Sequence, residues 1–198
     1  MKNLITKKAS IFYIIAATLF FADLLLYVIQ LLRISDSSWI VSNLSDYSES
    51  ILPSIFVIVA LIVCAFAKNK VLIPMAFSVV AYEDISSLWY RLDNINEEMA
   101  IYEIFFCIGT FLEVLASSII IFNFSSSKAK NRVLLIFTSA LPFVCMLGRN
   151  MFHFGWLNFH IGAYLLRYFL YAIAFLFVGL GMYFELDKKE EITCTTTI

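Results

Sequence analysis

The chain has 198 residues, of which 62% are hydrophobic and only 15% charged, with a formal net charge of −1 and a mean hydropathy of +0.88. Those values exclude a soluble enzyme, a disordered chain and a collagen-like or low-complexity one, and they place the protein in a bilayer. No basic run is longer than Lys7-Lys8 or Lys188-Lys189, so nucleic acid is not an expected partner.

About 20 apolar residues are needed for a helix to cross roughly 30 Å of hydrocarbon, and six runs approach that length. They fall at 10–32, 51–67, 71–90, 100–124, 132–148 and 161–184, within a single polytopic domain covering 1–198 that ends in a short tail, 185–198. Only helices are expected, because a segment in lipid must satisfy its own backbone polar groups and no barrel-like alternation is present. The expected fold is therefore an all-α integral membrane bundle of six transmembrane helices. The first run is too long for the apolar part of a signal peptide and has no small-residue cleavage pattern after it, so it is expected to be retained.

The first span places Ala16, Asp23 and Gln30 on one face at intervals of seven, with Tyr27 one turn from Asp23. The second carries no charge. The third carries Glu83 with Ser86, Ser87 and Tyr90, and Asp84 beside Ser87 and Arg91. In the fourth, Cys107, Thr110, Glu113 and Ser117 share one sector, with Glu103 on the same side nearer the end. The sixth aligns His160, Tyr164, Arg167 and Tyr171. Of the four cysteines, Cys64, Cys107 and Cys145 lie in apolar runs and no C-x-x-C pair exists, so they read as small hydrophobes rather than disulfide or zinc ligands.

Orientation follows the distribution of Lys and Arg. Lys2, Lys7, Lys8, Lys68, Lys70, Lys128, Lys130, Arg132, Lys188 and Lys189 fall at the ends and in the even loops, against Arg33, Arg91 and Arg149 in the odd ones. Ten against three puts both termini in the cytoplasm and the protein in the plasma membrane. Lys8, Lys68, Lys128 and Lys188 recur every 60 residues, a spacing compatible with three helical hairpins, although evenly sized loops alone produce the same interval.

A charge inside the hydrocarbon costs at least about 2.5 to 3.5 kcal/mol, so each one that persists faces protein, water or a partner. Counting about 1.5 Å per residue along each span puts Asp23 and Glu113 near mid-bilayer and Glu83, Asp84, Glu103, Arg167 and His160 in the outer half. The inner half is nearly free of charge. This pattern predicts a polar cavity facing outward, with Asp23, Glu83, Asp84, Glu103, Glu113, Arg167 and Tyr171 as ligand-binding or proton-exchanging groups. Five carboxylates for one intramembrane arginine cannot all be paired as anions. The competing reading is structural, with Arg167 paired to Glu103 or Glu113 to hold the bundle in register.

Catalytic signatures are missing: there is no G-x-S-x-G, H-E-x-x-H, Walker or dinucleotide motif. His153 and His160, the only histidines, stand seven apart near the outer surface. They are the candidates for a metal site, and with Glu83 and Asp84 for an intramembrane hydrolase, an alternative that no spacing demands. A structural accessory subunit is the other alternative. The leading expectation is a module that binds a small solute from the outer side, as a sensor or as the solute-binding membrane subunit of a transporter. It works without a cofactor and with a membrane or cytoplasmic protein as partner, since the tail is too short to signal by itself.

Overall fold

The computed structural model describes residues 7–34, 44–67, 71–93, 100–123, 144–145 and 159–195. Among these the regular structure is helical throughout, in five helices without a strand: α1 (Lys7–Ile34), α2 (Leu44–Ala67), α3 (Leu72–Asp93), α4 (Ala100–Asn123) and α5 (Phe159–Thr195). The fifth expected span, 132–148, lies outside the described residues except for Val144 and Cys145, which are helical. Three segments, Lys7–Leu32, Ile104–Phe122 and Leu165–Phe184, are long and apolar enough to cross a membrane. The apolar part of α2, Ile51–Ala67, is shorter, and α3 has Glu83 and Asp84 at its middle.

Two helices are longer than their apolar runs. The helix α2 starts at Leu44, seven residues before the run, through a polar stretch with Asp46 and Glu49 in its first two turns, where the helix dipole favours acidic residues. At the other end of the chain, α5 continues past Phe184 to Thr195. Residues 185–195 contain no Gly or Pro, and three Glu and two Lys among them are good helix formers, so nothing in the sequence stops the helix.

Packing follows the order α5, α1, α2, α3, α4, with α1 against α5 the most extensive contact and α3 against α4 the next. Contacts between α1 and α5 run in opposite directions along the two helices. Phe12 stacks on Phe184 at 5.0 Å, Phe20 meets Phe175 at 5.8 Å, and Asp23 meets Arg167. The two are therefore antiparallel, and the start of α1 lies at the same end of the bundle as Phe184, where Lys8 Nζ stands 5.8 Å from the Phe184 ring. We call this the Lys8 end.

Small residues set the closeness of the α1–α5 contact. Ala9, Ala16, Ala17 and Ala174 are buried along it, and Gly181 faces Tyr13, which has 0% exposure. A methyl group on Gly181 would stand 2.7 Å from Tyr13 Cε1, so only glycine fits there. The core continues through Val57, Leu61 and Cys64 of α2, Ile73, Ala76 and Phe77 of α3, and Ile120 of α4. Large apolar side chains cover the outside, Phe66 of α2 among them at 75% exposure, a surface suited to lipid and costly in water. Three hydroxyls are satisfied inside their own helices: Thr18, Ser78 and Ser118 each donate to the carbonyl oxygen four residues back, at 2.9, 2.7 and 2.7 Å.

Candidate functional site

A cavity of about 200 Å3 lies where all five helices meet. Its lining comes from Asp23, Leu24 and Tyr27 of α1, Ser54 of α2, Glu83 and Asp84 of α3, Glu113 of α4, and Arg167, Tyr168 and Tyr171 of α5. Four of these side chains are carboxylic acids and one is a cation.

The cation holds the α1–α5 side together. Arg167 Nε donates to Asp23 Oδ1 at 3.0 Å, its Nη1 reaches Gln30 Oε1 at 3.5 Å, and its guanidinium lies 4.5 Å from the Tyr27 ring centroid. One arginine thus engages three groups spread over two turns of α1, by an ion pair, a polar contact and a cation–π contact. Asp23 is buried, at 6% exposure, so its ion pair is largely removed from solvent. The spacing of Asp23, Tyr27 and Gln30 accounts for this directly, because residues four and seven apart share a helical face.

The other side of the cavity is acidic. Asp84 lies within electrostatic reach of Glu113 and Glu83, and Glu113 within reach of Asp23 and Glu83. These groups sit on α3 and α4, which pack together as a pair opposite α1 and α5. Asp84 Oδ2 is shut off from solvent and has no hydrogen-bond partner, and the same holds for Gln30 Nε2 and Ser117 Oγ, which belong to residues outside the cavity lining. Buried polar atoms of this kind are uncommon, and each costs about 1 to 3 kcal/mol when nothing meets it. Among the described residues no three His, Cys, Asp or Glu side chains stand close enough to hold a metal ion.

On the Lys8 side of the cavity lies a cluster of aromatic rings. Phe20, Phe77 and Phe175 meet edge to face, with centroids 6.3, 5.8 and 5.3 Å apart. Tyr171, which lines the cavity, stands 5.3 Å from Phe20 and 5.1 Å from Phe175. Each phenylalanine comes from a different helix, so the cluster ties α1, α3 and α5 together beside the polar groups.

Six of the seven residues singled out in the sequence therefore line one cavity: Asp23, Glu83, Asp84, Glu113, Arg167 and Tyr171. The side chain of Glu103 lies outside the described residues, as does all of His153, while His160 stands in the first turn of α5. The partner of Arg167 is Asp23, in place of the expected Glu113 or Glu103, because α5 packs on α1. Thr110 and Ser117, placed with Glu113 by their spacing, are buried in the packing of α4 and do not line the cavity. Sequence reasoning missed Ser54 and Tyr168. The signal for Ser54 was its place directly after Pro53, where the proline removes one backbone hydrogen bond near the start of the apolar run. No protein-family model, curated protein or solved structure matches the chain, so the site is read from its own chemistry.

Proposed function

We propose that the protein is a multi-pass membrane module that takes a small cationic solute into this cavity from the outer side, as a sensor or as the solute-binding subunit of a transporter. The observation that carries the reading is the charge of the lining: four carboxylic acids against one arginine that is already bonded to Asp23. A lock between helices needs only the Arg167 network. Asp84 and Glu113, which lie within electrostatic reach of one another, add cost to the empty protein, and an entering cation offsets it.

Six spans and cytoplasmic termini belong to the same proposal. The alternation of α1 to α4, with α5 antiparallel to α1, leaves one further crossing between Asn123 and Phe159, and 132–148 is the apolar run available for it. The excess of Lys at the Lys8 end supports a cytoplasmic position for that end and an outward-facing cavity.

Access and charge are tested together by Ser54→Cys in a background free of the native cysteines. Reagents that modify thiols are added outside intact cells, one carrying a trimethylammonium and one a sulfonate of similar size. The expected outcome is modification by the cationic reagent on the order of tenfold faster than by the anionic one, as an acidic cleft concentrates cations. Equal rates, or reaction only after the inner face is opened, would overturn the proposal.

A further inference from the structure

One face of α3 is out of keeping with a simple lipid contact. The buried Ile73, Ala76, Phe77, Val80 and Ala81 mark the inner side of the helix. At about 100° per residue Tyr82 stands opposite them, and it is 75% exposed. Ser78 and Ser86, one turn before it and one turn after, are exposed on the same face. Three hydroxyl side chains thus leave consecutive turns of a helix that packs between α2 and α4. Tyr82 lies ten residues from Leu72 and eleven from Asp93, about 15 Å from either end of the helix. From that depth the phenol does not reach a headgroup region, and a hydroxyl in hydrocarbon is costly until a hydrogen-bond partner meets it. Tyr82 and Ser86 make no hydrogen bond among the described residues. Ser78 donates its proton to the Pro74 oxygen at 2.7 Å, which leaves its own oxygen as an acceptor.

This face carries its own complement. Helical side chains lean toward the N-terminus, so the Tyr82 hydroxyl projects over the turn that holds Ser78. Copies inserted in one membrane share an orientation, and a two-fold axis along the bilayer normal sets their α3 helices parallel, with Ser78 at equal depth in both. Each Tyr82 donor then comes level with the Ser78 acceptor of the other copy, and symmetry repeats the bond. The apolar residues follow the same register. Met75, Tyr82 and Trp89 recur at intervals of seven, with Ser78 and Ile85 between them, and all five are exposed, as in the seam of a two-helix pair. A helix of another protein would need the matching donor and acceptor at this depth, whereas a second copy has them already.

We propose that two copies of the chain pair α3 to α3 in the membrane, each Tyr82 hydroxyl donating to Ser78 Oγ of the other copy. The pairing goes beyond solute binding and does not depend on which end of the bundle is cytoplasmic. Glu83 and Asp84 leave α3 toward the cavity, so in the pair one cavity lies on each side of the shared seam.

The test uses the full chain in liposomes without added solute. Protein labelled with a donor or an acceptor dye is mixed and followed by energy transfer over falling protein-to-lipid ratios. The wild type is expected to dimerise, and Tyr82→Phe, which removes only the hydroxyl, to weaken association about fivefold. In a background free of the native cysteines, Met75→Cys on the seam is expected to form a disulfide-linked dimer under mild oxidation, whereas Phe122→Cys, exposed on α4, is not. Tyr82 and Met75 are both exposed, so neither change disturbs the packing of the chain itself. Monomers at every ratio, linkage through Phe122→Cys in place of Met75→Cys, or a Tyr82→Phe protein that associates as tightly as the wild type would each overturn the proposal.

Discussion

Arg167 shows how much can depend on a single side chain in an apolar surrounding. It meets a carboxylate, an amide and an aromatic ring on the same face of α1, and removing it takes from the buried Asp23 the cation it is paired with. Breaking a buried pair from one side typically costs about 3 to 5 kcal/mol, whereas removing both partners costs much less. Arg167→Gln and Asp23→Asn are each expected to destabilise the purified protein, and the double variant to lose less than the two single losses combined. The expected coupling is about 1 to 3 kcal/mol, measured from the unfolding transitions of all four proteins. Additive losses would show that the pair contributes nothing beyond its separate members. The residues of this network were legible in the sequence because Asp23, Tyr27 and Gln30 repeat at helical spacing. Their partner was not, because which helix packs on α1 is decided by contacts 144 residues apart in the chain.

Helices fit one another here through size as much as polarity. Gly181 and Tyr13 form the closest such fit, the tyrosine ring occupying the space that any side chain on position 181 would need. Tyr13 is fully buried and cannot swing aside, so Gly181→Ala should overpack the contact and cost about 1 to 3 kcal/mol. Tyr13→Leu in the same chain should restore a large part of that loss, since it withdraws the ring atoms that clash. Thermal unfolding of the three variants checks this, and a Gly181→Ala protein as stable as the wild type would contradict it. The apolar runs themselves marked α1, α4 and the middle of α5 to within a few residues, as unbroken hydrophobic segments do. Helix ends in polar sequence were harder to read. Neither the start of α2 at Leu44 nor the extension of α5 to Thr195 has a hydrophobic pattern to mark it, and both rest on local propensity and the absence of a breaker.

For the molecule as a whole, the packing order explains why the polar residues of five helices converge. Two antiparallel pairs, α1 with α5 and α3 with α4, are bridged by α2, and the cavity is the space the pairs leave between their polar faces. Sequence spacing assigned most residues to the correct faces but carried no information on which faces meet. Ser54 went unnoticed for this reason: one serine within the apolar run 51–67 has meaning only once its neighbours are known. The six-span arrangement predicts that reporters active only in the cytoplasm, fused at either terminus, give signal, while the same reporter inserted after Asp93 gives none. Signal from one terminus alone would contradict an even number of crossings.

The length of α5 has a mechanical consequence. From Arg167 to Thr195 the helix runs unbroken for 28 residues, about 42 Å at the standard rise, and only the part up to Phe184 is apolar enough to lie in hydrocarbon. Such a rod, pivoting near the cavity, would amplify small motions: a tilt of about 10° at Arg167 displaces its far tip by roughly 7 Å. A solute bound in the cavity, as proposed, would thereby be felt at the Lys8 end as a change in the position of the helix tip.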